Sequence, residues 1–121
     1  EVEKVDLART DSNYCVFDSR GAEGYHGGGK YYDPVRGHIA GAGLADRAEI
    51  TDAQGLFKSK ADLKKHYESL TNGVSADNTI FYCGSGVTAA QNVLVFVENV
   101  FQISTTNYIL VQNPAGKTPG W

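Results

Sequence analysis

One short stretch of the chain combines a cysteine with a glycine-rich turn. It runs Cys83-Gly84-Ser85-Gly86-Val87-Thr88-Ala89. The apolar run before it predicts a strand, and the run after it predicts a helix. Glycines in the turn allow backbone N–H groups to face one point, and the helix directs the positive end of its dipole toward the same point. A thiolate there would be stabilised, so the spacing predicts that Cys83 is an activated nucleophile.

The elements that must position this loop alternate along the chain. Apolar runs rich in β-branched and aromatic residues predict strands at 13–18, 79–83 and 107–111. Helices are predicted at 59–70 and, largely buried, at 88–101. The strands are continuously apolar rather than alternating, which is typical of a parallel sheet covered on both faces. We therefore expect an α/β domain of three layers, with a mostly parallel central sheet between helices.

The first long helix carries the clearest local signals. Ser59 is its expected N-cap, with Asp62 three residues later, and Leu63 and Tyr67 recur at helical spacing and should face the core. Asn72-Gly73 should end it.

A second candidate binding residue follows the first strand. Arg20 lies two residues after the strand at 13–18, and Cys83 ends the strand at 79–83. Ligands of parallel sheets bind beyond the carboxyl ends of the strands, so both side chains are expected at one edge. Between them, 27–43 predicts a long glycine-rich loop that ends in a very short strand near Ala42 to Leu44.

The length, charge and composition of the chain exclude several classes of function. A length of 121 residues fits a single domain spanning 1–121. A net charge of −3 without a Lys/Arg stripe argues against nucleic-acid binding, and no apolar run approaches the roughly 20 residues of a membrane span. Two cysteines are too few for a disulfide scaffold or a structural zinc site, so no metal or cofactor is expected. Because the chain lacks Met at position 1, we expect it to be processed or cut from a longer or tandem-domain chain.

These motifs resemble those of rhodanese-like sulfurtransferase domains, in the family's order. Residues 83–89 resemble the active-site loop of the mercaptopyruvate and thiosulfate sulfurtransferases, and 16–20 resemble the family's Asp-x-Arg segment. Residues 37–42 resemble its Gly-His-Ile-Pro-Gly-Ala signature, with Ala40 in place of proline. Residues 114–121 stand where many members have a tail ending in tryptophan. The resemblance spans most of the chain and implies a rhodanese-like domain.

The resemblance also implies a mechanism. Cys83 would take a sulfur atom from a small anionic donor, thiosulfate or 3-mercaptopyruvate, and hold it as a persulfide. A thiol, including a protein thiol, or cyanide would then remove it. Arg20 would bind the anionic donor, and the loop would bind the persulfide. The implied loop residues are Gly84, Ser85, Gly86, Val87 and Thr88. The Gly84-Ser85 pair resembles the mercaptopyruvate branch more than the thiosulfate branch.

Several alternatives stay open at this level. Gly24 stands where the mercaptopyruvate enzymes usually carry a second substrate-binding arginine. The set of arginines that would bind the donor is therefore either incomplete or completed by Arg36 or by another chain. Arg20 could instead pair with Asp18, and Ser85 could either bind substrate or cap the helix. The sequence argues against a related phosphatase, because that chemistry would need an arginine six residues after Cys83, where this chain has alanine. A non-enzymatic persulfide carrier and a redox sensor remain alternatives to an enzyme.

Overall fold

Three parallel strands form the sheet at the centre of the fold. The computed structural model describes residues 2–29 and 34–101. The strands are β1 (Cys15–Asp18), β2 (Gly43–Leu44) and β3 (Thr79–Tyr82), in the spatial order β2-β1-β3. Both pairings in this sheet are parallel. The prediction of an α/β domain around a parallel sheet is therefore confirmed.

The helices alternate with these strands along the chain. They are α1 (Val2–Ala8), α2 (Ala22–Tyr25), α3 (Lys60–Thr71) and α4 (Val87–Phe96). Short 3-10 helices span Arg47–Ile50 and Ala76–Asn78, and a π-helical segment, Val97–Phe101, continues α4. Among the described residues, no helix has both the length and the apolar character needed to cross a membrane.

The sheet separates two apolar clusters, as a three-layer arrangement requires. On one face, Tyr67 of α3 and Phe96 of α4 pack with Phe81 of β3, with ring centroids 5.2–6.4 Å apart. On the other face, Ala8 of α1 packs with Val16 of β1. The alternation of adjacent strand residues between two clusters explains why the strands are apolar throughout.

Helix α3 forms as its sequence predicts. The Ser59 hydroxyl accepts the backbone N–H of Asp62 at 3.2 Å, which caps the first turn. Leu63 and Tyr67 are buried against the sheet. Asn72 adopts the left-handed conformation, with φ of 47°, and ends the helix.

Other boundaries differ from the predictions. Helix α1 was not predicted because charged and apolar residues are mixed along its short sequence, and only its inner side packs on the sheet. Helix α4 begins one residue before the predicted start and loses regular α-helical geometry from Val97 onward. The strand predicted at 107–111 and the tail at 114–121 lie outside the described residues.

Candidate active site

Cys83 follows β3 directly, and its sulfur is held by the first turn of α4. The backbone N–H of Gly86 donates to Sγ at 3.0 Å, and that of Ala89 donates at 3.4 Å. Gly86 is the N-cap of α4 and has a φ of 89°, a conformation that favours glycine. The strand, turn and helix therefore aim unsatisfied helix N–H groups at one sulfur atom.

These contacts make the thiol more acidic. Burial alone would raise the pKa of Cys83, because it disfavours the charged form. The N–H groups of Ala89, Gly86, Thr88 and Ser85 act in the opposite direction and together lower that pKa below its ordinary value. Cys83 is free and half-buried, so the sulfur is both activated and accessible.

The predicted loop residues lie around this sulfur in different ways. Gly84 lines the adjacent cavity. The Ser85 hydroxyl accepts the N–H of Val87 at 3.4 Å, and the Val87 side chain is exposed. Thr88 lies in the first turn of α4, and its N–H faces Sγ. Their proposed contacts with a substrate or a persulfide remain predictions.

Ala89 was missed as a contact of the sulfur. Residue type gave no signal, because the contact is made by a backbone N–H group. Position could have revealed it: the first turn of any helix has N–H groups without helical partners, and Ala89 is the third residue of α4.

Arg20 lies at the same edge of the sheet but is bound to Asp18. Its Nε lies 3.0 and 3.1 Å from the two carboxylate oxygens of Asp18, and its Nη2 lies 2.6 Å from Oδ2. The same Nη2 donates to the carbonyl oxygen of Gly37 at 2.6 Å. The Asp18 side chain is fully buried and that of Arg20 is 17% exposed. Arg20 therefore neutralises a buried carboxylate and ties the 37–39 segment to β1.

Tyr82 of β3 also holds the 37–39 segment against the sheet. Its hydroxyl accepts the backbone N–H of Ile39 at 2.9 Å. Burial is the main cause that raises the pKa of Tyr82, so the hydroxyl stays protonated near neutral pH. Sequence reasoning placed Tyr82 in a strand but gave it no role, since its partner lies 43 positions away.

A cavity of about 410 Å³ opens beside Cys83. Its wall includes the tied 37–39 segment, and its floor includes the strand end. The lining residues are Arg20, Val35, Arg36, Gly37, His38, Ile39, Tyr82, Cys83 and Gly84. None of these described lining residues is acidic, and two are arginines. The cavity is therefore suited to a small anion next to a nucleophilic sulfur.

His38 is held within this wall by Tyr25. The two rings stack with centroids 3.6 Å apart and an angle of 6° between their planes. His38 Nδ1 also lies 2.6 Å from the carbonyl oxygen of Tyr25. Because a carbonyl oxygen can only accept, Nδ1 carries a proton and donates the hydrogen bond. The Tyr25 hydroxyl donates to Ala42 O at 2.8 Å. These contacts fix the orientation of the His38 ring within the cavity wall.

Cys15 lies at the start of β1, outside the loop that follows Cys83. Its Sγ is 3.7 Å from the carbonyl oxygen of Thr71, and burial raises the pKa of this thiol. The two free cysteines thus have opposite pKa shifts, and Cys83 is the more acidic of the two thiols. Among the described residues, no group of three or more His, Cys, Asp or Glu is arranged to hold a metal ion.

Comparison with known proteins finds one informative similarity. The chain is 31% identical over 107 residues to a probable 3-mercaptopyruvate sulfurtransferase of Pseudomonas aeruginosa. The match covers 88% of this chain but only 35% of that protein, so the chain spans about a third of its relative's length. No family model matches. The similarity, with the α/β fold, supports a distant relationship between this chain and the rhodanese-like sulfurtransferases.

Proposed function

We propose that this chain is a sulfurtransferase in which Cys83 carries sulfur as a persulfide. The observation that supports this most strongly is the pair of N–H groups, from Gly86 and Ala89, directed at Sγ beside an open cavity. They stabilise the thiolate that attacks the donor. They also stabilise the same thiolate when it leaves in the second half-reaction.

In the first half-reaction, a bond forms between Sγ of Cys83 and the sulfur of the donor. With thiosulfate, its S–S bond breaks and the electron pair leaves with sulfite. With 3-mercaptopyruvate, the C–S bond breaks, and the carbon keeps the electron pair and takes the thiol proton to give pyruvate. Neither route needs an external oxidant or reductant, because the sulfur moves as a neutral atom. Sulfite or the pyruvate carbon keeps the electron pair of the broken bond, and the Cys83 thiolate supplies the pair of the new one.

In the second half-reaction, the acceptor attacks the outer sulfur of the persulfide. Cyanide would leave as thiocyanate and a thiolate would leave as a persulfide, in each case returning Cys83 as its thiolate. The outer sulfur of the persulfide carries the negative charge between the two half-reactions. We propose that the start of α4, from Gly84 to Thr88, stabilises this charge with its N–H groups and its dipole.

The name of the relative makes 3-mercaptopyruvate the first donor to test. Thiosulfate is the second, because both donors are small anions that carry a transferable sulfur. The cavity has room for either and presents cationic side chains from Arg20 and Arg36.

The experiment measures intact mass after incubation with each donor. The wild-type protein should gain one sulfur atom, and subsequent cyanide should remove it. Cys83→Ser should gain none, whereas Cys15→Ser, the matched control for the other free cysteine, should gain it normally. Sulfur uptake that persists in Cys83→Ser would overturn the proposal. Steady-state turnover with cyanide then distinguishes an enzyme from a persulfide carrier, because turnover with neither donor would favour a carrier that takes its sulfur from a partner protein.

A further inference from the structure

The two arginines of the cavity differ in how their charge is used. Arg20 is bound by the carboxylate of the fully buried Asp18 through Nε and Nη2, and Nη2 also holds the carbonyl of Gly37. A donor that drew the Arg20 guanidinium toward itself would leave a buried carboxylate without its counter-charge, which is strongly unfavourable. Arg20 is therefore suited to building the wall of the cavity.

Arg36 faces the same cavity under different constraints. Its side chain is exposed, and its Nη1 donates to the carbonyl oxygen of Gly29 at 3.1 Å. A hydrogen bond at an exposed site exchanges readily with one to a ligand, since water replaces the lost partner. At its base, Gly27 has a φ of 89°, and a Cβ there would lie 3.7 Å from the Cβ of Arg36. The turn at Gly27 therefore packs against the base of the Arg36 side chain, and Arg36 lines the cavity.

We propose that Arg36, and not Arg20, recognises the anionic group of the sulfur donor. The ligand class is a small oxyanion, either a carboxylate or the SO3 group of thiosulfate, whose paired oxygens match the planar fork of a guanidinium. His38, the remaining lining side chain that can carry positive charge, has its ring stacked on Tyr25. The assignment rests on the proposed function for the identity of the donor.

The test compares two alkylating reagents that differ in charge, because it does not depend on sulfur transfer. Iodoacetate is an anion and iodoacetamide is neutral, and both alkylate a thiolate by the same chemistry. The rate ratio of iodoacetate to iodoacetamide at Cys83, located by peptide mass spectrometry, reports the anion-binding charge of the cavity. Arg36→Gln should lower this ratio about threefold, the effect expected for an exposed charge pair. Arg36→Lys should retain most of it.

Arg47→Gln is the matched control. Arg47 is exposed on the 3-10 helix Arg47–Ile50, is not among the cavity-lining residues and gives the same change in net charge. Its ratio should equal that of the wild-type protein. An unchanged ratio in Arg36→Gln, or an equal fall in Arg47→Gln, would overturn the assignment.

Sulfur loading then identifies which oxyanion Arg36 binds. In Arg36→Gln, the apparent KM should rise for the donor whose anionic group it contacts, with kcat largely kept. A rise for thiosulfate, for 3-mercaptopyruvate or for both supports the assignment, and a rise for neither contradicts it. If wild-type Cys83 gains sulfur from neither donor, the proposed function fails, while the alkylation ratio still decides whether Arg36 selects anions.

Discussion

The backbone N–H of Gly86 lies 3.0 Å from Sγ of Cys83, on a residue whose φ of 89° is accessible to glycine at low cost. Gly86→Ala should lower the free energy of unfolding by about 1–2 kcal/mol, because an L-residue is strained in this region. No atom lies within 4 Å of a Cβ placed there, so the cost arises from the backbone alone. Denaturant unfolding measures it, and the alkylation rate of Cys83 at neutral pH should fall as the loop relaxes.

Gly84→Ala provides the control in the same loop. Gly84 is not among the glycines with positive φ, and a Cβ on it would also meet nothing within 4 Å. Its free energy of unfolding should change by less than about 0.5 kcal/mol. Equal losses in the two variants would show that the backbone of Gly86 is not the cause.

The pH dependence of alkylation should distinguish the two cysteines. Helix N–H groups lower the pKa of Cys83, whereas burial raises that of Cys15. Only the thiolate reacts, so each rate should fall about tenfold per pH unit below its own pKa. The midpoint for Cys83 should therefore lie at a lower pH than the midpoint for Cys15. Iodoacetamide labelling followed by peptide mass spectrometry checks this, and coincident midpoints would contradict it.

Arg20 and Asp18 should show strong coupling in a double-mutant cycle. Arg20→Ala leaves the buried Asp18 carboxylate without its counter-charge and should cost about 3 kcal/mol of unfolding free energy. Once Asp18→Asn has removed that charge, the same change should cost much less. Denaturant unfolding of the four proteins gives the coupling energy. Additive losses would indicate that Arg20 is not held by this carboxylate.

Arg36→Gln serves as the comparison for that cycle. Because Arg36 is exposed and hydrogen-bonds to a loop carbonyl, its loss should change the free energy of unfolding by less than about 0.5 kcal/mol. A large loss of stability would show that Arg36 has a structural role instead.

Local patterns predicted the parts of this structure that local physics controls. The Ser59 cap, the Asn72 stop and the turn after Cys83 depend on neighbours within a few residues. The contact between Arg20 and Asp18 is also local, and this pairing is one of the two alternatives that the sequence allows for Arg20.

Contacts between distant segments could not be predicted in this way. The bond from Ile39 to Tyr82 joins residues whose proximity depends on the whole sheet. Helix α1 was missed for a similar reason: a helix of seven residues has little stability of its own, and packing on β1 supplies the rest. A polar residue inside an apolar helix, such as Asn92, likewise reveals its partners only in the folded chain.

The buried pair of Tyr67 and Asn92 should contribute measurably to stability. The Tyr67 hydroxyl donates to Asn92 Oδ1 at 2.8 Å, and Asn92 Nδ2 donates to Ala45 O at 3.0 Å, with both side chains at most 1% exposed. Tyr67→Phe leaves Oδ1 without this donor and should lower the free energy of unfolding by about 1–2 kcal/mol. Asn92→Ala removes the hydrogen-bond partner of both the Tyr67 hydroxyl and Ala45 O, and should lower it more. Tyr14→Phe, whose hydroxyl makes no hydrogen bond within the described residues, should be nearly neutral in denaturant unfolding. If Tyr67→Phe were equally neutral, the hydroxyl would not be what joins α3 to α4.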